Sequence, residues 1–409
     1  MLWIAAERVA LWIKFPLCAE DAYITFHAAI DPAWTHATTS PPWMLVLRLV
    51  SVVGVTPEAA SHLILLAADL FAVYAASKYL KPIQFWVFVG FWSLPFFAAS
   101  YLSGLETHLV ACGLIAAPAF PWAAAVSALR LEAMLAWAVN RRWSWIGLGV
   151  GLAINVLVIQ SILPLTVGSK ASVYGVNWFS NPGWFHHEAF GWLGAGLLVS
   201  AFSSIPALCA GLVLAGYWAI GAPTAFWWYA VSPLALLSVE ASRLCNRKWI
   251  AGIALVLVVA SVPHQWERMT SRLNAEAALW DTGKAIAQRY QGGTMMLEPA
   301  GMIPYLNPGM KIVDEVGLVE PWVARVRHQG SGWMTDALNK YTPDLVLMRV
   351  KNVRDGGTGF SGSGAPFASP EEFQDFNYRY GVVGVGAVWG QISYVVRPQA
   401  HVLAVFRRR

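Results

Sequence analysis

The sequence predicts an α-helical polytopic membrane bundle of about ten or eleven spans, followed by a C-terminal soluble α/β domain. Three observations predict it. Hydrophobic residues make up 57% of the chain and charged residues only 12%, against the ~25% charged that soluble domains usually carry. Apolar stretches recur from the first residue to about residue 263, and from His264 the texture changes to short apolar runs with frequent charges. The implied domains are a transmembrane domain over 1–263 and a soluble α/β domain over 264–409.

The candidate spans are 1–18, 59–80, 84–99, 103–118, 119–140, 143–162, 188–203, 205–221, 224–242 and 248–263. Several fall short of the ~20 residues that cross ~30 Å of hydrocarbon, so tilted, broken or re-entrant helices are expected. The first, Met1 to Leu17, runs into further apolar sequence without a small-residue cleavage site and reads as a retained helix. The four cysteines lie far apart without a CxxC pair, which argues against a disulfide framework or a cysteine metal site. The net charge of +5 is dispersed, forms no patch and points to no nucleic-acid partner. The basic residues instead orient the chain. Lys78 and Lys81, Arg141 and Arg142, and Arg243, Arg247 and Lys248 each occupy a short connection that should be cytoplasmic. Keeping them on one side requires 42–55 to lie along the interface and 119–140 to turn near Arg130. Segments 19–58, 99–106, 160–188 and everything after 263 then share the outer face.

Beyond 263, residues 265–291, 332–341 and 371–379 read as helices. Thr294 to Glu298, Asp344 to Arg349 and segments within 381–407 read as strands. The glycine-rich stretch Asp355 to Gly364 lacks the Gly-Lys-Ser/Thr ending of a phosphate loop and reads as a loop.

The segment most suggestive of chemistry is Cys18-Ala-Glu20-Asp21-Ala-Tyr23-Ile-Thr25-Phe26, where adjacent carboxylates directly follow a membrane helix. Two readings stand side by side. Acidic residues near hydrocarbon usually have a function or a partner, whereas the plainer reading makes them the solvated end of the span. Functionally, one carboxylate can take a proton from a sugar hydroxyl as general base, or the pair can hold a divalent cation such as Mg, Mn or Ca. Arg130 interrupts an apolar run and needs a counter-ion or a water-filled cavity. Glu106 suits a helix start, where negative charge meets the helix dipole. His186-His187-Glu188 offers hydrogen bonds to a sugar or acceptor, although adjacent loop histidines point in different directions and make a poor metal site.

Six blocks together resemble a known family. Glu20-Asp21-Ala-Tyr23-Ile looks like the Asp-Asp-Ala-Tyr-Ile signature of GT-C glycosyltransferases related to the mycobacterial terminal arabinofuranosyltransferases. Thr39-Ser40-Pro41-Pro42-Trp43, Ser103-Gly104-Leu105-Glu106-Thr107 and Leu129-Arg130-Leu131-Glu132 resemble further family motifs in the same order. So do Leu163-Pro164-Leu165-Thr166 with Lys170, and Val313-Asp314-Glu315-Val316-Gly317-Leu318. The resemblance implies an inverting enzyme that moves a sugar from a polyprenyl-phosphate donor to a cell-envelope glycan or lipid acceptor. Such an enzyme works on the outer face of a bacterial plasma membrane, and its C-terminal domain is periplasmic. It implies Asp21 as the catalytic base with Glu20 beside it, Arg130 and Lys170 on the donor phosphate, and Tyr23, Glu106 and His187 as substrate-binding residues. The chain departs from the pattern in three places: Glu20 replaces an aspartate, the loop after Phe26 is short, and Leu165 stands where asparagine is usual. These departures leave open an inactive homologue of the enzyme, and ten or so spans with Arg130 and Glu132 isolated among them would also suit a secondary transporter or flippase of a lipid-linked or anionic substrate.

Overall fold

The computed structural model describes residues 1–130, 135–162, 164, 200–219, 224–349, 365–385 and 403–408. The described residues form two compact units. One contains Met1–Cys18, Ser40–Ile162 and the residues from 200 to Met269; the other contains Ala19–Thr39 and the residues from Thr270 onward.

The first unit is helical. Its early helices are α1 (Leu2–Lys14), α3 (Pro41–Ser51), α4 (Pro57–Tyr79), α5 (Pro82–Trp92), α6 (Pro95–Leu102) and α7 (Glu106–Ala116), while α2 (Glu20–Ile30) belongs to the other unit. Proline explains many of these starts. Pro41, Pro57, Pro82 and Pro95 each occupy a first-turn position, where the missing N–H costs nothing and the fixed φ suits the helix. Thr56 adds a side-chain cap to α4 by accepting the Ala59 N–H at 3.4 Å. Proline also breaks the expected span 84–99, because α5 and α6 meet at Pro95 with a 60° bend. The expected span 119–140 is a 3-10 helix over Pro121–Ala128 and a short helix over Leu135–Val139.

Among the described residues, Pro57–Tyr79, Arg141–Ile159 and Lys248–Arg289 are long and apolar enough to cross a membrane, and the bent α5–α6 pair makes a fourth candidate. Glu106–Ala116 and Ile205–Ala219 are apolar but shorter. Most of the expected span 188–203 lies outside the described residues, as does the glycine-rich stretch 355–364. The chain is a multi-pass helical membrane protein with a small C-terminal sheet, as its composition predicts.

The sequence places a domain boundary near His264, yet one helix of 42 residues, Lys248–Arg289, runs straight through it and through Pro263. At ~1.5 Å rise per residue such a helix is about 63 Å long, twice the hydrocarbon thickness. Its apolar half, to Pro263, suits the membrane; the half carrying Glu267, Arg268, Arg272 and Glu276 suits water.

The second unit is built on a five-stranded sheet in the order β2-β1-β3-β5-β4. Strands β1 (Thr294–Leu297), β2 (Lys311–Asp314) and β3 (Leu345–Arg349) are parallel, and β5 (Leu403–Arg408) pairs antiparallel with β3 and with β4 (Tyr380–Val385). The expected strands at 294–298 and 344–349 and helices at 332–341 and 371–379 are found within a residue or two. β2 and the helices Met302–Leu306 and Pro321–Gln329 were not expected. Met295, Met296 and Leu297 on β1 and Val346 and Leu347 on β3 are fully buried, the continuous apolar run typical of a parallel strand covered on both faces. Met296, Val313, Trp333, Met334, Phe367 and Phe376 belong to its core.

Segment 19–39, expected to be an outer loop of the membrane domain, is instead part of this second unit. It forms helix α2 (Glu20–Ile30) and a 3-10 turn over Pro32–Ala37. Its residues from Ala22 to Ala29 are buried, which gives this polar-looking segment a core of its own. Tyr23 and Tyr305 meet edge-on at 5.1 Å, Tyr23 and Trp280 lie 5.3 Å apart, and His27 stacks on Trp34 at 4.0 Å.

Candidate functional site

Asp21 and Glu20 begin α2. Ala19, at the cap position, has no side chain to accept the first amides, so the helix start must be satisfied from elsewhere. Glu276, on the charged half of the long helix, accepts the Glu20 N–H at 3.1 Å. The Glu20 carboxylate in turn accepts the Gly301 N–H, just past β1. Gly301 is needed there, since a Cβ would overlap the Glu20 carbonyl oxygen. Three carboxyls, Glu20, Asp21 and Glu276, thus gather at one helix start. Burial, reinforced by the Asp21 and Glu276 carboxylates, pushes the Glu20 carboxyl well up. Burial, with Asp21 contributing, raises Glu276 to about 8. This is how groups poised for proton transfer near neutral pH are made.

Tyr23, expected to touch substrate, is 1% exposed inside the aromatic cluster. Its part here is packing: it fixes α2 against Trp280 and Tyr305. His36 bonds the Val319 carbonyl at 3.0 Å. That carbonyl lies in the loop organised by Asp314, whose carboxylate accepts the N–H groups of Leu318, Val319 and Glu320 at 2.6, 2.8 and 3.0 Å. Gly317 supplies the positive φ of +78° that the turn needs. The block 313–318 is therefore a shaped turn.

Within the membrane unit, three of the motifs come together. Ser40 donates to the Leu129 carbonyl at 2.9 Å, and Ser61 and the Trp43 indole donate to the Gly104 carbonyl at 3.1 and 3.4 Å. Gly104 holds a φ of +72° that presents this carbonyl. Arg130 donates to Glu106 at 2.9 Å and lies over the Tyr229 ring at 5.3 Å. Glu106, read from the sequence as substrate-binding, is fully buried and serves as counter-ion to Arg130, read as phosphate-binding. Lys170, Leu165, Glu132 and His187 lie outside the described residues.

The same unit holds a group that sequence reasoning missed. Arg8, Asp69 and His108 are fully buried. Asp69 accepts from Arg8 Nε at 2.8 Å and from Trp92 Nε1 at 2.5 Å, and His108 Nε2 lies 3.2 Å from it. The signal was available: an aspartate in mid-span and an arginine inside an apolar first helix are costly unless paired. Asp69, His108 and Cys112 bring ligand-type atoms within 4.8 Å of one another. Both Asp69 oxygens already accept hydrogen bonds, however, and the Arg8 cation opposes a second positive charge, so the group acts as an ion-pair joint between α1, α4, α5 and α7.

No curated protein matches the chain. The crystal structure of ArnT from Cupriavidus metallidurans bound to undecaprenyl phosphate is similar, with a TM-score of 0.48 and 12% identity over 99% of this chain and 97% of that one. Residues 264–397 match the model of a family described as "Domain of unknown function (DUF8728)", so that from His264 this chain is similar to a family whose own role is undefined.

Proposed function

We propose that the protein is a membrane glycosyltransferase of the GT-C type that moves a sugar, arabinofuranose by its closest motif, from a polyprenyl-phosphate donor to a cell-envelope glycan or lipid acceptor. One observation carries the proposal: Asp21 stands in the first turn of a packed helix, beside two carboxyls whose affinity for protons is raised. The motif resemblance gives that site its chemistry. Asp21 takes the proton of the acceptor hydroxyl as its oxygen attacks the anomeric carbon. The new glycosidic bond forms while the bond from that carbon to the phosphate oxygen breaks, and polyprenyl phosphate leaves with the electron pair and inversion at the anomeric centre. Arg130, oriented by Glu106, and Lys170 are assigned to the donor phosphate, where cationic donors stabilise the charge that develops. His187 is assigned to the substrate. The oxygen donors of Asp21 and Glu20 suit a hard divalent cation, which would neutralise phosphate charge. The positive-inside pattern supports an orientation with the α/β unit on the outer face, and the motif resemblance supports a bacterial plasma membrane.

The test is transfer from polyprenyl-phosphoryl sugars to an oligosaccharide acceptor by the purified full chain in nanodiscs. Wild type should elongate the acceptor, and Asp21→Asn should lower kcat about 10²- to 10⁴-fold, the usual worth of a general base, with the melting temperature preserved. Full activity in Asp21→Asn, or no transfer by wild type from any donor in an arabinose, mannose and glucose panel, overturns the proposal.

A further inference from the structure

We infer that Glu276 is the positioning residue of the acid pair: it supplies, from a helix 256 positions away, the cap that the helix carrying Asp21 lacks. The inference rests on the glycosyltransferase reading for its catalytic readout.

A helix start exposes four amides that need acceptors, and Ser, Thr, Asp or Asn at the cap position normally provides one. Ala19 occupies that position with extended backbone and no acceptor in its side chain. The first amide of the helix, that of Glu20, is instead bonded by the Glu276 carboxyl at 3.1 Å. The Glu20 side chain is bonded to the Gly301 amide. Glu20 is therefore clamped at both ends, by its backbone to the long helix and by its side chain to the turn after β1. Asp21 is the next residue, so the direction of its Cα–Cβ bond is fixed by the same two bonds. Around Glu276 the surface is already committed. Trp280, one helical turn along, packs on Tyr23, and Gly283, two turns along, passes so close to Leu306 that a Cβ would lie 2.8 Å from that side chain. The segment holding Glu276 is thereby held still against α2 and the helix Met302–Leu306. Glu20 becomes a strut by the same argument. This accounts for its extra methylene relative to an aspartate, since the longer side chain reaches the Gly301 amide.

A carboxyl that acts through a backbone bond has a specific signature. Its role needs an oxygen acceptor at the right distance, and it does not need a charge. Glu276→Gln keeps that oxygen and removes the titratable carboxyl, whereas Glu276→Asp keeps the carboxyl and withdraws the oxygen by one methylene. The experiment measures transfer from polyprenyl-phosphoryl arabinofuranose to an arabinofuranosyl oligosaccharide by the full chain in nanodiscs, with hydrogen exchange of the peptide covering 20–30. Glu276→Gln should hold kcat within about threefold of wild type, with α2 exchange unchanged. Glu276→Asp and Glu276→Ala should lower kcat about 10- to 100-fold, the scale of an ångström of misplacement. In both, KM for the donor should stay within about twofold and exchange at the start of α2 should rise.

Wild-type kcat in Glu276→Asp, or a Gln variant as impaired as Asp, overturns the inference, the second because the titratable carboxyl, and not an oxygen acceptor, would then be what matters. If Glu276→Ala does not fold, the Asp and Gln pair decides alone. Failure of the transferase reading is recognised separately, by full activity in Asp21→Asn or none in wild type. In either case Glu276 loses the reaction it was inferred to serve.

Discussion

The two acidic centres of the molecule are built in opposite ways. Asp69, in the membrane unit, is met by the Arg8 guanidinium, the Trp92 indole and the His108 ring, so its charge is balanced and its lone pairs are used. Glu20, Asp21 and Glu276, in the α/β unit, face one another, and two of the three are pushed toward the protonated form. In apolar surroundings a carboxylate with a cation becomes a joint between helices, whereas burial and crowding push carboxyls such as Glu20 and Glu276 toward the protonated form.

The comparison breaks hardest at Arg8. Arg8→Met leaves Asp69 buried without its cation and should cost about 3–5 kcal/mol, the usual penalty for halving a buried pair. Thermal unfolding in detergent reads this directly, and Arg8→Met with Asp69→Leu should recover most of the loss. If Arg8→Met melts with wild type, Asp69 is no joint. Next comes Gly301→Ala, which forces a methyl group into the Glu20 carbonyl. Overpacking of this kind costs about 1–3 kcal/mol, and hydrogen exchange should rise in α2 and around 298–306 while α4 and α7 stay protected. An unchanged exchange pattern would show that the Glu20–Gly301 clamp is loose.

The smallest effect is at His27. Burial lowers its pKa to about 4, although Asp31 pulls the other way. The unfolded chain, with an ordinary histidine near 6.5, then binds the proton more readily than the folded one. Stability contributed by neutral His27 is present above pH 6.5 and is lost as pH falls from there toward 4. His27→Phe, which keeps the ring against Trp34, should flatten the melting temperature over that range; an equally steep acid dependence in the variant would mean that other groups carry it.

Much of the chain could be read directly. The strands at 294–297 and 345–349 announced themselves as short apolar runs, and the helices Pro57–Tyr79 and Pro82–Trp92 as the apolar stretches 59–80 and 84–99. Strand β2 escaped because four residues, Lys311–Asp314, are too few to show a period, and its meaning comes from pairing with β1. At the candidate site, Glu20 and Asp21 stood out as acids beside an apolar helix. Glu276 did not, because an exposed-looking glutamate in a charged helix carries no local mark, and neither did Gly301. The Arg130–Glu106 pair was half legible: Arg130 looked costly and Glu106 suited a helix start, but their union at 2.9 Å spans 24 residues of sequence.

The sequence alone determined that the bilayer is the solvent for most of the chain, because burying so much apolar surface with so few charges leaves no other solution. It also determined that an α/β unit follows, because period and run length are local properties. The tertiary structure decided where segment 19–39 belongs. That segment follows a membrane helix, yet its buried face packs on Trp280 and Tyr305 and its first amide needs Glu276. Helix capping and aromatic packing act through space, so residues 256 positions apart can complete one helix start without either one revealing it in the chain.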